Sequence, residues 1–255
     1  MKIATWNVNS IRKRLDRVIA WVGEHQPDVL CLQETKVEDD AFPRDELESV
    51  GYHALCHGQK TYNGVALLGR EPMLHPVKGF GDGGDDGQAR FLVAEVDDLK
   101  VGTVYVPNGQ EVGSEKFRYK LEWLGRWRRW LETSADTAAP LALCGDLNVA
   151  PEDRDVYDPA AWKDQVLCHP DERAALAKVC NWGLTDAFRL HHQEAGQYSW
   201  WDYRQLGFPR NLGLRIDMIL CSAPLAARCT SVSIDRNARK GKEPSDHAPV
   251  IAEFK

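Results

Sequence analysis

Apolar residues in this chain follow two rhythms. Short runs with strand character occupy Ile3–Val8, Val29–Gln33, Gly64–Leu68, Phe91–Val96, Val101–Val106, Leu141–Cys144, Leu214–Leu220 and Ala248–Phe254. Between some of them the spacing lengthens to three and four. Ile11, Leu15, Val18, Ile19 and Val22 mark one face of a helix that Ser10 can cap. Phe117, Leu121, Leu124 and Leu131 mark the buried side of another, starting near Ser114. A third opens at Pro170, because proline suits the first helical position and Asp171 and Glu172 complement the helix dipole. It runs through Val179, and Gly183 is expected to end it. Strands alternate with helices early and follow one another later, which predicts a mixed α/β protein with layered sheets. No repeat, low-complexity tract or Pro/Ser-rich linker divides the sequence, so a single domain over residues 1–255 is expected.

Four strands run straight into similar polar clusters: ATWNVNS, LCLQETK, GTVYVPNG and LALCGDLN. A strand buried on both sides fixes the residues at its end, so side chains there are aimed with small positional error. Two further clusters, RID within Leu214–Leu220 and SDH before Ala248, lie at the beginnings of their strands. Ends and beginnings meet at one sheet edge only if some strands run opposite to others, which predicts mixed or antiparallel sheets. The residues that would meet are Asn7, Asn9, Glu34, Tyr105, Asn108, Asp146, Asn148, Asp217, Asp246 and His247. Oxygen donors with one imidazole suit a hard cation such as Mg²⁺ or Mn²⁺ better than zinc, and Glu34 is the best single candidate ligand. Any one of these residues alone reads as a strand-end hydrogen bond or a helix cap. Six clusters of one style point to a site.

Composition narrows the picture. Seven cysteines sit mainly inside apolar runs with no Cys-x-x-Cys pair, and read as buried thiols of a reducing compartment. GDGGDDG, residues 81–87, reads as a turn in preference to a calcium loop. No apolar run approaches the roughly 20 residues needed to cross a bilayer, and the N-terminus lacks the features of a secretory signal. A cytoplasmic protein with no membrane partner is expected. The net charge of −6 argues weakly against nucleic acid. Yet basic residues cluster at Arg12-Lys13-Arg14, Lys116 to Lys120, Arg126 to Arg129 and Arg236 to Lys242, although each cluster alone fits a solvated face.

The segments WNVNSIR, LQETK, VYVPNG, GDLNVAP, SWWDYR, GLRIDMIL and PSDHAPV, in this order and nearly spanning the chain, resemble the exonuclease III family of the endonuclease/exonuclease/phosphatase superfamily. SDH or a lone GD-x-N is shared with lipid and inositol phosphatases, whereas SWWDYR with GLRID points to the abasic-site endonucleases. The resemblance implies a DNase I-like α/β fold: a four-layer α/β/β/α sandwich with two mixed β-sheets. It also implies metal-dependent hydrolysis of the phosphodiester 5′ to an abasic site in duplex DNA, with 3′-5′ exonuclease and 3′-phosphatase or phosphodiesterase activity, by a monomer acting on abasic or 3′-blocked DNA.

By the same resemblance Glu34 binds Mg²⁺ or Mn²⁺, with Asn7 and Asp246 beside it. Asp146 deprotonates the attacking water, and Asn148 holds it in place. Tyr105 and His247 donate to the phosphate, and Asp217 orients His247. Asp146, Asn148 and His247 are the candidates for a further ion. Asn9, which stands where relatives carry an aspartate, joins Lys36 and Asn108 in contacting substrate. Trp200, Leu214 and Ile216 match the pocket for an extrahelical abasic sugar, and the basic groups around Lys116 and Arg236 join Lys36 at DNA phosphates. A related phosphodiesterase acting on RNA, nucleotides or phosphoinositides is the enzyme alternative. A non-catalytic nucleic-acid-binding protein of the same fold is the other, and such a binder has no need of the full set Glu34, Tyr105, Asp146, Asn148, Asp217 and His247.

Overall fold

The computed structural model describes residues 1–84 and 87–255; Asp85 and Asp86, in the middle of the GDGGDDG segment read as a turn, lie outside the described residues. Strands β1 (Lys2–Asn7), β2 (Val29–Gln33), β3 (His53–His57) and β4 (Val65–Gly69) precede β5 (Leu74–Lys78), β6 (Phe91–Val96), β7 (Leu99–Tyr105) and β8 (Leu141–Asp146). Then come β9 (Leu184–Asp186), β10 (Trp200–Trp201), β11 (Gly213–Leu214), β12 (Asp217–Ser222), β13 (Cys229–Ile234) and β14 (Val250–Phe254). The helices are α1 (Ile11–His25), α2 (Arg44–Glu48), α3 (Glu115–Ser134), α4 (Pro170–Cys180), α5 (Ala187–His191) and α6 (Ala223–Ala226).

One six-stranded sheet has the order β13-β14-β1-β2-β4-β3 and the other β5-β6-β7-β8-β12-β9, with β10 and β11 forming a separate ribbon. Both large sheets are mixed. β1 pairs parallel with β2 and antiparallel with β14, while β7 pairs parallel with β8 and β8 antiparallel with β12.

The two-residue alternation of strands sorts side chains into layers. Ile3, Val29, Cys31 and Val65 share a core with Leu92, Val101, Cys144 and Ile219 of the second sheet. Their neighbours Ala4, Trp6, Leu30 and Leu32 face the other way, packing with Ile11, Val18 and Trp21 of α1. On the far side, Val93, Val104, Leu143 and Met218 meet Trp123, Trp127 and Leu131 of α3 and Leu176 and Val179 of α4. Helices therefore cover both outer faces of two stacked mixed sheets, the four-layer α/β architecture that the sequence motifs imply. Among the described residues, no helix is long and apolar enough to cross a membrane. All seven cysteines are free, five of them buried.

Some local expectations change. Ser10 occupies the N-cap of α1 but makes no side-chain cap bond. Its N–H donates to Glu34 O at 2.7 Å and that of Ile11 to Thr35 O at 3.1 Å, so the helix start is pinned to the end of β2 instead. Ser114 does cap α3, accepting from Phe117 N–H. Three tryptophans, Trp123, Trp127 and Trp130, fill the buried face of α3 with Phe117, Leu124 and Leu131, whereas Leu121 is half-buried. α4 ends at Cys180, ahead of Gly183.

The run Leu214–Leu220 is broken into β11 and β12 at Arg215 and Ile216. Arg215 is buried, with Nε donating to Asp155 Oδ1 at 2.6 Å and a second guanidinium nitrogen 2.8 Å from Asp186 Oδ2, so the break is held by a paired charge. Strand β5 carried no readable pattern because all five of its residues are exposed.

Candidate active site

Parallel pairing brings the ends of β1 and β2 together, with Asn7 opposite Gln33, and the ends of β7 and β8, with Tyr105 opposite Asp146. Antiparallel pairing then sets the first residue of β12, Asp217, opposite Asp146, and β14 beside β1, so that His247 arrives just before it. Beginnings and ends of strands thus share one rim between the sheets. Below it, Gln33 Nε2 donates to Thr5 Oγ1 at 2.9 Å and Thr103 Oγ1 at 3.0 Å, a buried polar tie from the first sheet to the second.

At the rim, donor atoms of Glu34, Asp146 and His247 all lie within 4.8 Å of one another. The Asn7 amide nitrogen donates to both Glu34 Oε1 and Asp146 Oδ2, each at 2.9 Å. Asn148 serves Asp146 twice, its N–H donating to Oδ1 at 2.9 Å and its Nδ2 reaching Oδ2 at 3.3 Å. Asn108 Nδ2 donates to Asn148 Oδ1 at 3.1 Å. His247 Nδ1 is 2.9 Å from Asp217 Oδ2, which leaves Nε2 facing Asp146 Oδ2 at 3.7 Å. Four residues here, Asn9, Glu34, Lys36 and Asn148, hold positive φ angles of 45°, 52°, 55° and 48°. Left-handed backbone is uncommon outside glycine and is sustained where the surroundings over-determine it.

Charge at the rim is set by burial and by near neighbours. Burial acts to lower the pKa of His247, but the carboxylates of Asp217 and Asp146 outweigh it and raise it from 6.5 to about 10, so the ring is an imidazolium at neutral pH. Burial raises the Asp146 carboxyl to about 7, helped by the charges of Asp217 and Glu34 and opposed by His247 and Asn7. Burial likewise works to raise Glu34, yet the adjacent Lys36 ammonium and the Asn7 bond hold it below the usual range. Tyr105 is pushed well above its ordinary value by burial and then by the Glu34 charge, so its hydroxyl stays protonated. Because the folded-state value of His247 is raised, its favourable contribution to folding is complete below about pH 6.5 and fades as pH rises through about 10. Nitrogen-15 NMR should find both His247 ring nitrogens in the imidazolium range at pH 8; a neutral-imidazole signature at pH 7 would contradict this.

The structure gathers Asn7, Glu34, Tyr105, Asn108, Asp146, Asn148, Asp217 and His247 directly. Asp246 points the other way: its carboxylate accepts from Asn9 Nδ2 at 3.0 Å and Trp200 Nε1 at 3.1 Å, and it lies outside the group formed by Glu34, Asp146 and His247. The ammonium of Lys36 is engaged by Glu34 Oε2 at 2.7 Å and Asn9 Oδ1 at 2.6 Å. Leu214 and Ile216 are buried with Ala150, Val156, Leu167 and Cys168, and half-buried Trp200 packs against that cluster. A cavity of about 330 Å³ lined by Trp200, Tyr157, Trp162 and Leu212 adjoins it. Trp200 also forms an isolated antiparallel backbone bridge with His247.

Three supporting residues escaped the sequence reading. Ser199 donates to Asp217 Oδ2 at 2.6 Å and accepts the N–H groups of Ile216 and Asp217, while Ser245 donates to Asn7 O at 2.6 Å. Both stand inside the motifs SWW and PSDH, where a lone hydroxyl carries no signal of its own. The Arg90 guanidinium lies over the Tyr105 ring, 4.6 Å from its centroid.

The donor chemistry fits a hard divalent cation. Two carboxylates close enough to accept from one amide nitrogen concentrate negative charge that a cation would neutralise, and oxygen is the preferred donor of such ions.

Comparison with known proteins agrees with this geometry. A sequence model of the endonuclease/exonuclease/phosphatase family matches residues 4–247. The exodeoxyribonuclease III of Haemophilus influenzae is 39% identical over the full length of both chains. An AP endonuclease from Archaeoglobus fulgidus superposes with a TM-score of 0.97 at 40% identity, covering 100% of this chain and 99% of its own. A 3′ phosphatase from Neisseria, solved with a product DNA hairpin, gives 0.97 at 42% identity with the same coverage.

Proposed function

This chain belongs to the endonuclease/exonuclease/phosphatase family and is a DNA-repair nuclease, and from that premise we propose that it hydrolyses the phosphodiester 5′ to an abasic site in duplex DNA, with 3′-5′ exonuclease and 3′-phosphatase activity. The observation that carries the proposal is the approach of Glu34, Asp146 and His247 to within 4.8 Å at the shared rim. Glu34, with Asn7 beside it and Asp146 facing it, would hold Mg²⁺ or Mn²⁺, whose charge when bound neutralises the phosphoryl oxygens.

The chain's own groups supply the rest. Asp146 takes the proton of the attacking water, and its raised pKa suits a base that works near neutral pH. Asn148 keeps the Asp146 carboxylate in one orientation. His247, kept charged by Asp217, donates from Nε2 to a phosphoryl oxygen, where an oriented donor stabilises the developing charge. The protonated Tyr105 hydroxyl donates beside it.

Trp200, backed by Leu214 and Ile216, takes the baseless sugar. An extrahelical abasic residue has already lost its pairing and stacking, so flipping it costs least. Asp246 acts on this side through its bonds to Asn9 and Trp200. The same reading makes the protein a cytoplasmic, single-domain monomer.

The test offers a duplex with one central abasic site and an intact control, each with Mg²⁺ and with chelator. One metal-dependent cut 5′ to the lesion is expected, with the control uncut internally. Equal internal cutting of both duplexes would remove the pocket assignment, and undiminished cutting in chelator would remove the metal.

A further inference from the structure

Lys120 stands in a stretch, KFRYK, whose basic residues read as candidate phosphate contacts, yet its side chain is fully buried. A buried ammonium is costly unless every donor is satisfied, and a lysine has three. Here Nζ donates to Asn148 O at 2.6 Å, to Asn108 O at 3.1 Å and to Glu172 Oε1. The two carbonyls belong to the segments that follow β8 and β7, both of which supply residues to the rim. Glu172 is as buried as Lys120, and its other oxygen accepts from His169 N–H at 3.2 Å in the capping box that starts α4. Burial pulls the Lys120 pKa down while the Glu172 charge opposes it, as expected of a pair that shields itself from water.

We propose that Lys120, with Glu172 as its counter-ion, is a positioning residue that fixes Asn148, and through it Asp146, by tying the segments after β7 and β8 to each other and to α4. Three features make this more than an ion pair that happens to lie inside. Asn148 is left-handed, with φ of 48°, and Lys120 holds the carbonyl of that residue. The Asn148 side chain is fixed from both ends, by Asn108 Nδ2 and by Val106 O at 3.0 Å, and each of those segments is itself linked to Lys120 or to β7. Gly109, at φ +94°, lies against the lysine stem, where a Cβ would come within 3.1 Å of Lys120 Cδ. Shifting the ammonium therefore moves the backbone that aims Asn148 at Asp146. The inference rests on the proposed role of Asp146 as base but concerns a residue that touches neither substrate nor ion.

The double variant Lys120→Met with Glu172→Leu removes both charges together, because loss of one would strand the other in the interior. It is compared with Glu172→Gln, which leaves the Lys120 charge unpaired and so should cost stability, but keeps an acceptor oxygen that can hold the ammonium in place. On the abasic duplex with Mg²⁺, the folded double variant should lose about 10- to 100-fold in kcat, the scale of a small misplacement of a reacting group, while Kd for the duplex changes less than about threefold. Glu172→Gln, whatever it costs in Tm, should keep kcat within about threefold of the parent. A double variant with parental kcat, or a Glu172→Gln protein as impaired as the double variant, would overturn the proposal. A second reading needs no turnover: the Asn148 side-chain amide resonances of the free protein should shift in the double variant and stay in place in Glu172→Gln. If the parent failed to cut DNA, the functional reading would fall, and unchanged Asn148 resonances in the double variant would separately overturn the positioning role.

Discussion

Asp146→Asn is expected to lower kcat on the abasic duplex by about 10²- to 10⁴-fold, the usual worth of a positioned general base, with little change in fold. Asparagine has nearly the shape of aspartate, and its one oxygen can still accept from Asn148 N–H, which donates at 2.9 Å in the parent. What it lacks is a carboxylate that can take a proton. It also places an amide where Asn7 Nδ2 donates at 2.9 Å and where His247 finds one of its charge partners. Turnover at saturating substrate, alongside circular dichroism, separates lost chemistry from lost structure. A folded variant within about tenfold of parental kcat would mean that another group takes the proton.

His247→Asn should cost about 10²- to 10³-fold in kcat, the range for removal of one oriented donor to a developing oxyanion. Nε2 is the ring atom left to a substrate, since Nδ1 is engaged by Asp217. An asparagine is shorter, carries no charge, and cannot pair with Asp217 while reaching the same oxygen. Asp217 would keep the Ser199 bond at 2.6 Å but lose its buried charge partner, so a loss of stability should accompany the loss of catalysis, and kcat is compared on folded protein. Because His247 and Asp146 are coupled across 3.7 Å, the double variant should be far less impaired than the product of the single losses. Additive losses would place the two residues in independent steps.

The rim was legible in the sequence because strand periodicity and polar punctuation coincide there. TWNVN, LQET and CGDLN announce where strands stop, and the opposite placement of RID and SDH demands the antiparallel partners found as β12 and β14. Charges that work from inside the fold were less visible. Lys120 falls on the buried stripe of α3 with Phe117, Leu124, Trp127 and Leu131 at spacings of three and four, a signal that outweighs its place among neighbouring basic residues. Arg215 is hidden in the same way between Leu214 and Ile216, since a buried arginine is readable only when Asp155 and Asp186, distant along the chain, are known to surround it. The tryptophans of α3 were not singled out as its core face, and Ser199 and Ser245 act through hydroxyls whose partners no local pattern reveals. Lys36 reads as a phosphate contact on charge alone; that its ammonium lies 2.7 Å from Glu34 Oε2, with both residues in left-handed backbone, is announced by no local pattern.

The most direct test is a crystal of the protein soaked in Mn²⁺ and measured at the manganese edge. The account predicts an anomalous peak in contact with the Glu34 carboxylate, on the side facing Asp146 and His247. A manganese peak bound elsewhere, with no density against the Glu34 carboxylate, would contradict it.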